Sequence, residues 1–84
     1  PWDLHYFQEI AETKNLSRAA ERLGVGQPAL SLSLKRLEDT LGVALFLRRR
    51  QGLLLTSAGQ SLLKESQKLV AAWESVVSEA KKSK

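Results

Sequence analysis

Ser17-Arg-Ala-Ala-Glu-Arg-Leu-Gly-Val-Gly-Gln-Pro-Ala-Leu30 punctuates like two short helices joined by a glycine turn. Ser17 can accept a hydrogen bond from an orphan amide at a helix start. Gly24 can take the left-handed conformation that ends a helix without a Cβ penalty, and Pro28 suits the first turn of the next helix. Ala19, Ala20 and Leu23 fall on one side of the first piece, and the small Ala20 lets a second helix approach closely. The stretch predicts a helix over 17–23, a turn over 24–26 and a following helix held out from the body.

Working outward, Leu4, Phe7, Ile10 and Ala11 keep helical spacing, and Asp3 complements the positive end of a helix dipole. A first helix is predicted near 3–14, closed by Lys14-Asn15. Downstream, Leu30-Ser-Leu-Ser-Leu34 alternates with period two, as a strand would. Leu30, Leu34, Leu37 and Leu41 nevertheless line one helical stripe that Pro28 opens and Gly42 follows, which predicts a helix over 28–41. Its opposite face carries Pro28, Leu32, Lys35 and Asp39, flanked by Ser31 and Arg36. Leu32 is thus an apolar side chain on a face expected to be exposed.

Val43-Ala-Leu-Phe-Leu47 and Leu53-Leu-Leu-Thr56 are short apolar runs separated by Arg48-Arg-Arg-Gln-Gly52, which predicts a two-stranded hairpin with Gly52 as its flexible residue. An isolated hairpin is marginal in water, so it must pack on the helices as a wing. Thr56 or Ser57 then caps a long last helix, and the spacing Ser57-x-x-Gln60 permits a capping box. Leu62, Ser66, Leu69, Trp73, Val76 and Ala80 recur in steps of four and three, with Leu63, Val70 and Val77 in an adjacent row. That is a heptad seam, on a helix longer than so small a body needs to cover its own core. The seam predicts packing on a partner, and the tail Lys81-Lys-Ser-Lys84 is expected to fray.

Composition sets the outer limits. Eighty-four residues suit one small domain, and the formal net charge of +4 biases it toward polyanions. Acidic residues gather early (Asp3, Glu9, Glu12, Glu21), whereas Lys35-Arg36 and Arg48-Arg49-Arg50 lie on the predicted 28–41 helix and in the predicted hairpin. With no cysteine and one histidine, neither a disulfide framework nor a Cys/His metal site can be assembled. No apolar run approaches a membrane span, and no signal-peptide pattern opens the chain, so a soluble, cytoplasmic protein is expected.

Several features have blander readings. Gly24-Val-Gly26-Gln-Pro-Ala29 satisfies the loose dinucleotide pattern GxGxxA but follows a helix rather than a strand, which argues against a nucleotide site. His5 reads as a surface side chain, Trp73 as an interface or core residue rather than a base-stacking one, and Lys64 and Lys68 as a solvated face. No nucleophile–base pair, metal cluster or phosphate loop is visible, so no enzyme is expected.

Ala19-Ala20-Glu-Arg-Leu23, Gln27-Pro28-Ala-Leu-Ser31, Arg36-Leu37-Glu38, Leu41-Gly42-Val43, Leu45-Phe46 and Leu55-Thr56-x-Ala58-Gly59, in this order and spacing, resemble the amino-terminal DNA-binding domain of LysR-type transcriptional regulators. The resemblance covers nearly the whole chain. It implies a mostly α fold, a winged helix-turn-helix of three helices and a two-stranded wing over residues 1–56, followed by a linker helix over 57–84 that dimerises antiparallel. It also implies a carboxy-terminal effector-binding domain outside this chain, so that a small-molecule effector belongs there and no cofactor is expected here. Gly26 stands where the family usually has serine, Leu32 where a polar residue is frequent, and Gln51 where most members carry arginine before the wing glycine.

On that resemblance the helix at 28–41 enters the major groove of double-stranded DNA. Gln27 and Ser31 would hydrogen-bond base edges or phosphates, while Pro28, Ala29 and Leu32 would meet thymine methyl groups. Lys35 and Arg36 would clamp phosphates, and Ser17 and Arg18 would offer amides and charge to the backbone. The wing, with Arg48, Arg49, Arg50 and Gln51, would reach the minor groove, although Arg48 is also placed for a structural role at the strand end. The homodimer interface would comprise Leu62, Leu63, Ser66, Leu69, Val70, Trp73, Val76, Val77 and Ala80. A winged-helix module for protein interaction is the competing expectation. A membrane-surface helix is disfavoured by Glu65, Glu74 and Glu79 among the lysines.

Overall fold

A computed structural model describes residues 2–83, with side chains from Leu4 onward. Its elements are α1 (Trp2–Thr13), α2 (Leu16–Leu23), α3 (Gln27–Leu41), β1 (Phe46–Arg49), β2 (Gly52–Leu55) and α4 (Ser57–Lys82). The expected dipole contact of Asp3 and the end of the tail at Lys84 lie outside the described side chains.

One apolar cluster joins the first three helices to the hairpin. Phe7, Ile10 and Ala11 of α1 meet Leu16, Ala19 and Ala20 of α2, Leu30 and Leu34 of α3, and Leu45, Phe46 and Leu53 of the wing. The rings of Phe7 and Phe46 lie tilted, 5.5 Å between centroids, and tie the first helix to the first strand. Ala19 and Ala20 are buried without bulk, so α1 and α3 both pack closely on α2.

The helix starts differ from expectation where burial outranks capping preference. Leu16 is buried and joins α2, which moves the cap back to Asn15. The Asn15 side chain accepts the Arg18 amide at 2.9 Å, and Ser17, expected as the cap, sits exposed in the first turn. Lys14 makes this junction possible. At φ 55 it reverses the chain while its amide still bonds the Ile10 carbonyl at 2.7 Å. At the other end of α2, Gly24 has φ 70, the left-handed cap expected of it.

In α3 the stripe of Leu30, Leu34 and Leu37 faces the core, together with Ser33, which the stripe did not include. Leu41 departs from it. Its phase is right, but it occupies the last position of the helix, past the bodies of α1 and α2, and remains 45% exposed.

The wing is shifted relative to the apolar runs. β1 begins at Phe46 rather than 43, because the preceding loop is held by side chains: the Glu38 carboxylate accepts the Leu45 amide at 2.7 Å and the Phe46 amide at 3.4 Å. Arg48 and Arg49 therefore belong to the ladder, opposite Leu53 and Gly52, and Arg50-Gln51 alone form the tip. Gly52, at φ 126, is required for a further reason. A Cβ there would stand 2.8 Å from the Lys14 carbonyl oxygen, which accepts the Leu53 amide and docks the wing onto the α1–α2 junction.

Of the two caps open for α4, Thr56 is used: its hydroxyl accepts the Gly59 amide at 3.0 Å and donates to the Ala44 carbonyl at 2.7 Å. A Ser57–Gln60 capping box does not form, since the helix starts one residue earlier than that box requires. A Cβ on Gly59 would collide with the Leu45 carbonyl oxygen, so glycine lets α4 cross the wing at close range. The helix then runs unbroken for 26 residues to Lys82, with Ser83 as its C-cap, where fraying from Lys81 was expected.

Candidate nucleic-acid interface

The outward side of α3 follows from its own periodicity. Leu30, Ser33 and Leu34 are buried; Gln27, Pro28, Ala29, Leu32, Lys35 and Arg36 are exposed, and Ser31 is half-buried at the flank. Gly26 provides an extended N-cap with no side chain to occupy the first amides, and Pro28 sits in the first turn. The start of α3 therefore presents free backbone donors beside Gln27.

Next to that helix start lies an open depression of about 310 Å³, lined by Lys14, Asn15, Leu16, Ser17, Gln27, Arg48, Arg49, Gly52 and Leu53. Three separate segments meet there. The wing brings Arg48 and Arg49, α2 brings Ser17 in its first turn, and α3 brings Gln27. Arg18 is exposed in the same first turn of α2, while Arg50 and Gln51 form the exposed wing tip. All thirteen positions expected at the interface are thus reachable from solvent. Arg48 is exposed in its strand and lines the depression.

The cations of this side are mostly unpaired. Arg22 is engaged by Glu9 at 2.7 Å and Glu12 at 3.1 Å, so its charge is committed to the acidic side chains of α1. Lys35 has a loose exposed partner in Asp39 at 3.9 Å. Among the described residues, Arg18, Arg36, Arg48, Arg49 and Arg50 form no ion pair, so their charge is available to an anion. Lys68 pairs with Glu65, and no group of three His, Cys, Asp or Glu suited to a metal occurs among the described residues. No helix of the described chain is long and apolar enough to cross a membrane.

The seam on α4 divides into two parts. Leu62 and Leu63 pack against the core, and Ser66 is 2% exposed, its hydroxyl accepting from Gln8 and donating to the Leu63 carbonyl. These three, expected at a dimer interface, are occupied within the chain because α1 lies against this stretch of α4. Leu69, Trp73 and Val76 are exposed, Trp73 at 66%, with Val70 and Val77 half-buried and Ala80 exposed. His5, Leu4, Leu69, Val70 and Trp73 line a small apolar cleft between α1 and α4.

Two contributors were not anticipated from the sequence. Lys14 lines the basic depression and anchors the wing through its carbonyl, and nothing in its neighbours announces the left-handed turn that puts it there. Glu38 did carry a signal. A carboxylate in the last turn of a helix opposes the helix dipole, so it needs a donor elsewhere, which the wing amides supply.

Comparison with known proteins bears on this geometry. Residues 2–60 match the family described as "Bacterial regulatory helix-turn-helix protein, lysR family". The chain is 45% identical over 67 residues to the HTH-type transcriptional regulator XapR of Escherichia coli (strain K12), covering 80% of this chain and 23% of that protein. It is 37% identical over 78 residues to the HTH-type transcriptional regulator BudR of Klebsiella aerogenes, covering 93% of this chain and 54% of that protein. The chain therefore spans about a quarter to a half of these relatives. Among solved structures, the CbnR_DBD–DNA complex superposes with a TM-score of 0.90 at 32% identity, covering 96% of this chain and 93% of the other. The BenM_DBD/benA site 1 DNA complex gives a TM-score of 0.92 at 29% identity, covering 98% and 95%.

Proposed function

Because the chain belongs to the lysR family of bacterial regulatory helix-turn-helix proteins, we propose that it binds double-stranded DNA sequence-specifically as the winged helix-turn-helix domain of a transcription regulator. The observation that carries this reading is the convergence of Ser17, Gln27, Arg48 and Arg49 around one depression beside the outward face of α3. With α3 in the major groove, Gln27 and Ser31 meet base edges, and Lys35 and Arg36 fall to the flanking phosphates. The first turn of α2, with Ser17 and Arg18, meets the backbone next to it. The wing follows the same backbone to the adjacent minor groove, where narrow A·T tracts concentrate negative potential on Arg48, Arg49 or Arg50.

The working unit is a homodimer held through the exposed half of α4, centred on Leu69, Trp73 and Val76. Two copies related by a twofold axis present two α3 helices to two half-sites, so binding energy from both is combined. The setting is the cytoplasm, no cofactor is assigned to these residues, and a small-molecule effector belongs to the carboxy-terminal domain that family resemblance implies.

Titration of labelled duplex at several salt concentrations tests the reading. Log affinity should fall steeply and linearly with log salt, by close to one unit of slope per phosphate neutralised. Negligible duplex affinity at every salt concentration, with self-association retained, would instead identify a protein-interaction module.

A further inference from the structure

The outward face of α3 is not uniformly polar. Leu32 is 54% exposed at its centre, with Pro28 and Ala29 exposed one turn before it and Lys35 and Arg36 exposed one turn after. Residues three and four apart on a helix are surface neighbours, so the three apolar side chains form a single tip flanked by two cations. Leucine can neither donate nor accept a hydrogen bond. In the major groove the apolar feature of the base edges is the C5-methyl group of thymine, and every other edge presents polar groups that Leu32 would desolvate without replacing.

Resting on the DNA-binding reading above, we infer that Leu32 is a specificity-determining residue that selects a base pair carrying a C5-methyl group at one fixed step of each half-site. Gln27 and Ser31 read neighbouring steps by hydrogen bonding, and Leu32 reads this one by apolar contact. The recognised group is the methyl itself, so 5-methylcytosine should substitute for thymine there better than cytosine does.

The test begins with duplexes selected by the chain from a random library. Each thymine in turn is replaced by deoxyuridine, which deletes only the methyl, and affinities are measured for the unaltered chain and for Leu32→Ala. At least one thymine per half-site should show a loss of about three- to fivefold for the unaltered chain, the size expected for one methyl removed from an apolar contact. In Leu32→Ala the replacement should be silent at one of these thymines. Thermal unfolding of Leu32→Ala should match that of the parent, since the side chain lies outside the core. Indifference of the unaltered chain to every uracil, or a Leu32→Ala chain that keeps the full loss at every sensitive thymine, would overturn the assignment while leaving DNA binding intact; losses unchanged at other thymines belong to Pro28 and Ala29. Absence of salt-dependent duplex binding would remove the underlying reading, and this assignment with it.

Discussion

At Asn15 and Ser17 two good capping residues compete for one helix start, and the neighbour between them decides. Leu16 must enter the helix to reach the core, so the cap falls to the residue before it. Asn15→Ala should lower unfolding stability by about 1 kcal/mol in chemical denaturation, whereas Ser17→Ala should stay within about 0.5 kcal/mol of the parent. Reversal of that order would place the helix start at Ser17. Ser17→Ala is still expected to weaken duplex binding slightly, because its hydroxyl lines the basic depression. Gly59 sits under a comparable constraint. Its missing Cβ is what lets α4 pass the Leu45 carbonyl, so the Leu55-Thr56-x-Ala58-Gly59 pattern reads as a cap followed by a close crossing.

The wing is an element whose position depends on two tethers outside itself. Glu38 holds its leading edge by the Leu45 and Phe46 amides, and the Lys14 carbonyl holds β2 through Leu53. Glu38→Ala should cost about 1–3 kcal/mol, since it orphans amides in the part-buried loop, and should speed hydrogen exchange at Leu45 and Phe46. An unchanged exchange rate would mean the carboxylate does not hold the loop. The arginines make a separate prediction about binding. Arg49→Ala leaves the strand ladder intact, so it should weaken all duplexes nearly equally and reduce the salt slope by close to one unit. Selective loss for one sequence, with the slope unchanged, would indicate a base contact instead.

At the scale of the whole molecule, the principal extents of 50 × 27 × 21 Å reflect the second half of α4 projecting from the body. Leu69, Trp73 and Val76 on that half leave a row of large apolar side chains in water, spaced in steps of four and three. In the proposed homodimer such a row is buried against a second copy. Trp73→Glu should therefore shift sedimentation toward monomer and weaken binding to a two-half-site duplex far more than to a single half-site. A Trp73→Glu chain that remains dimeric would move the interface elsewhere on the surface. Ser66 should not behave as part of that interface. Its hydroxyl is already committed to Gln8 and the Leu63 carbonyl, so Ser66→Ala is expected to act on the α1–α4 contact within one chain.

Local sequence settled the element types and the faces of the helices. Gly24 and Pro28 punctuate the turn, the leucine stripe orients α3, and Leu32 falls on the outward face as its phase required. These are short-range properties, since a glycine at positive φ or an apolar repeat at helical pitch depends on residues within a turn or two. What packing alone decided lies between elements. Burial of Leu16 moved a cap, the Glu38 carboxylate turned an expected strand start into a tethered loop, and α1 covered the first half of the α4 seam while leaving Leu69, Trp73 and Val76 exposed. A heptad pattern records which side chains seek an apolar surface. Whether that surface belongs to the same chain or another depends on where the helix passes the body, and only the tertiary arrangement contains that distance.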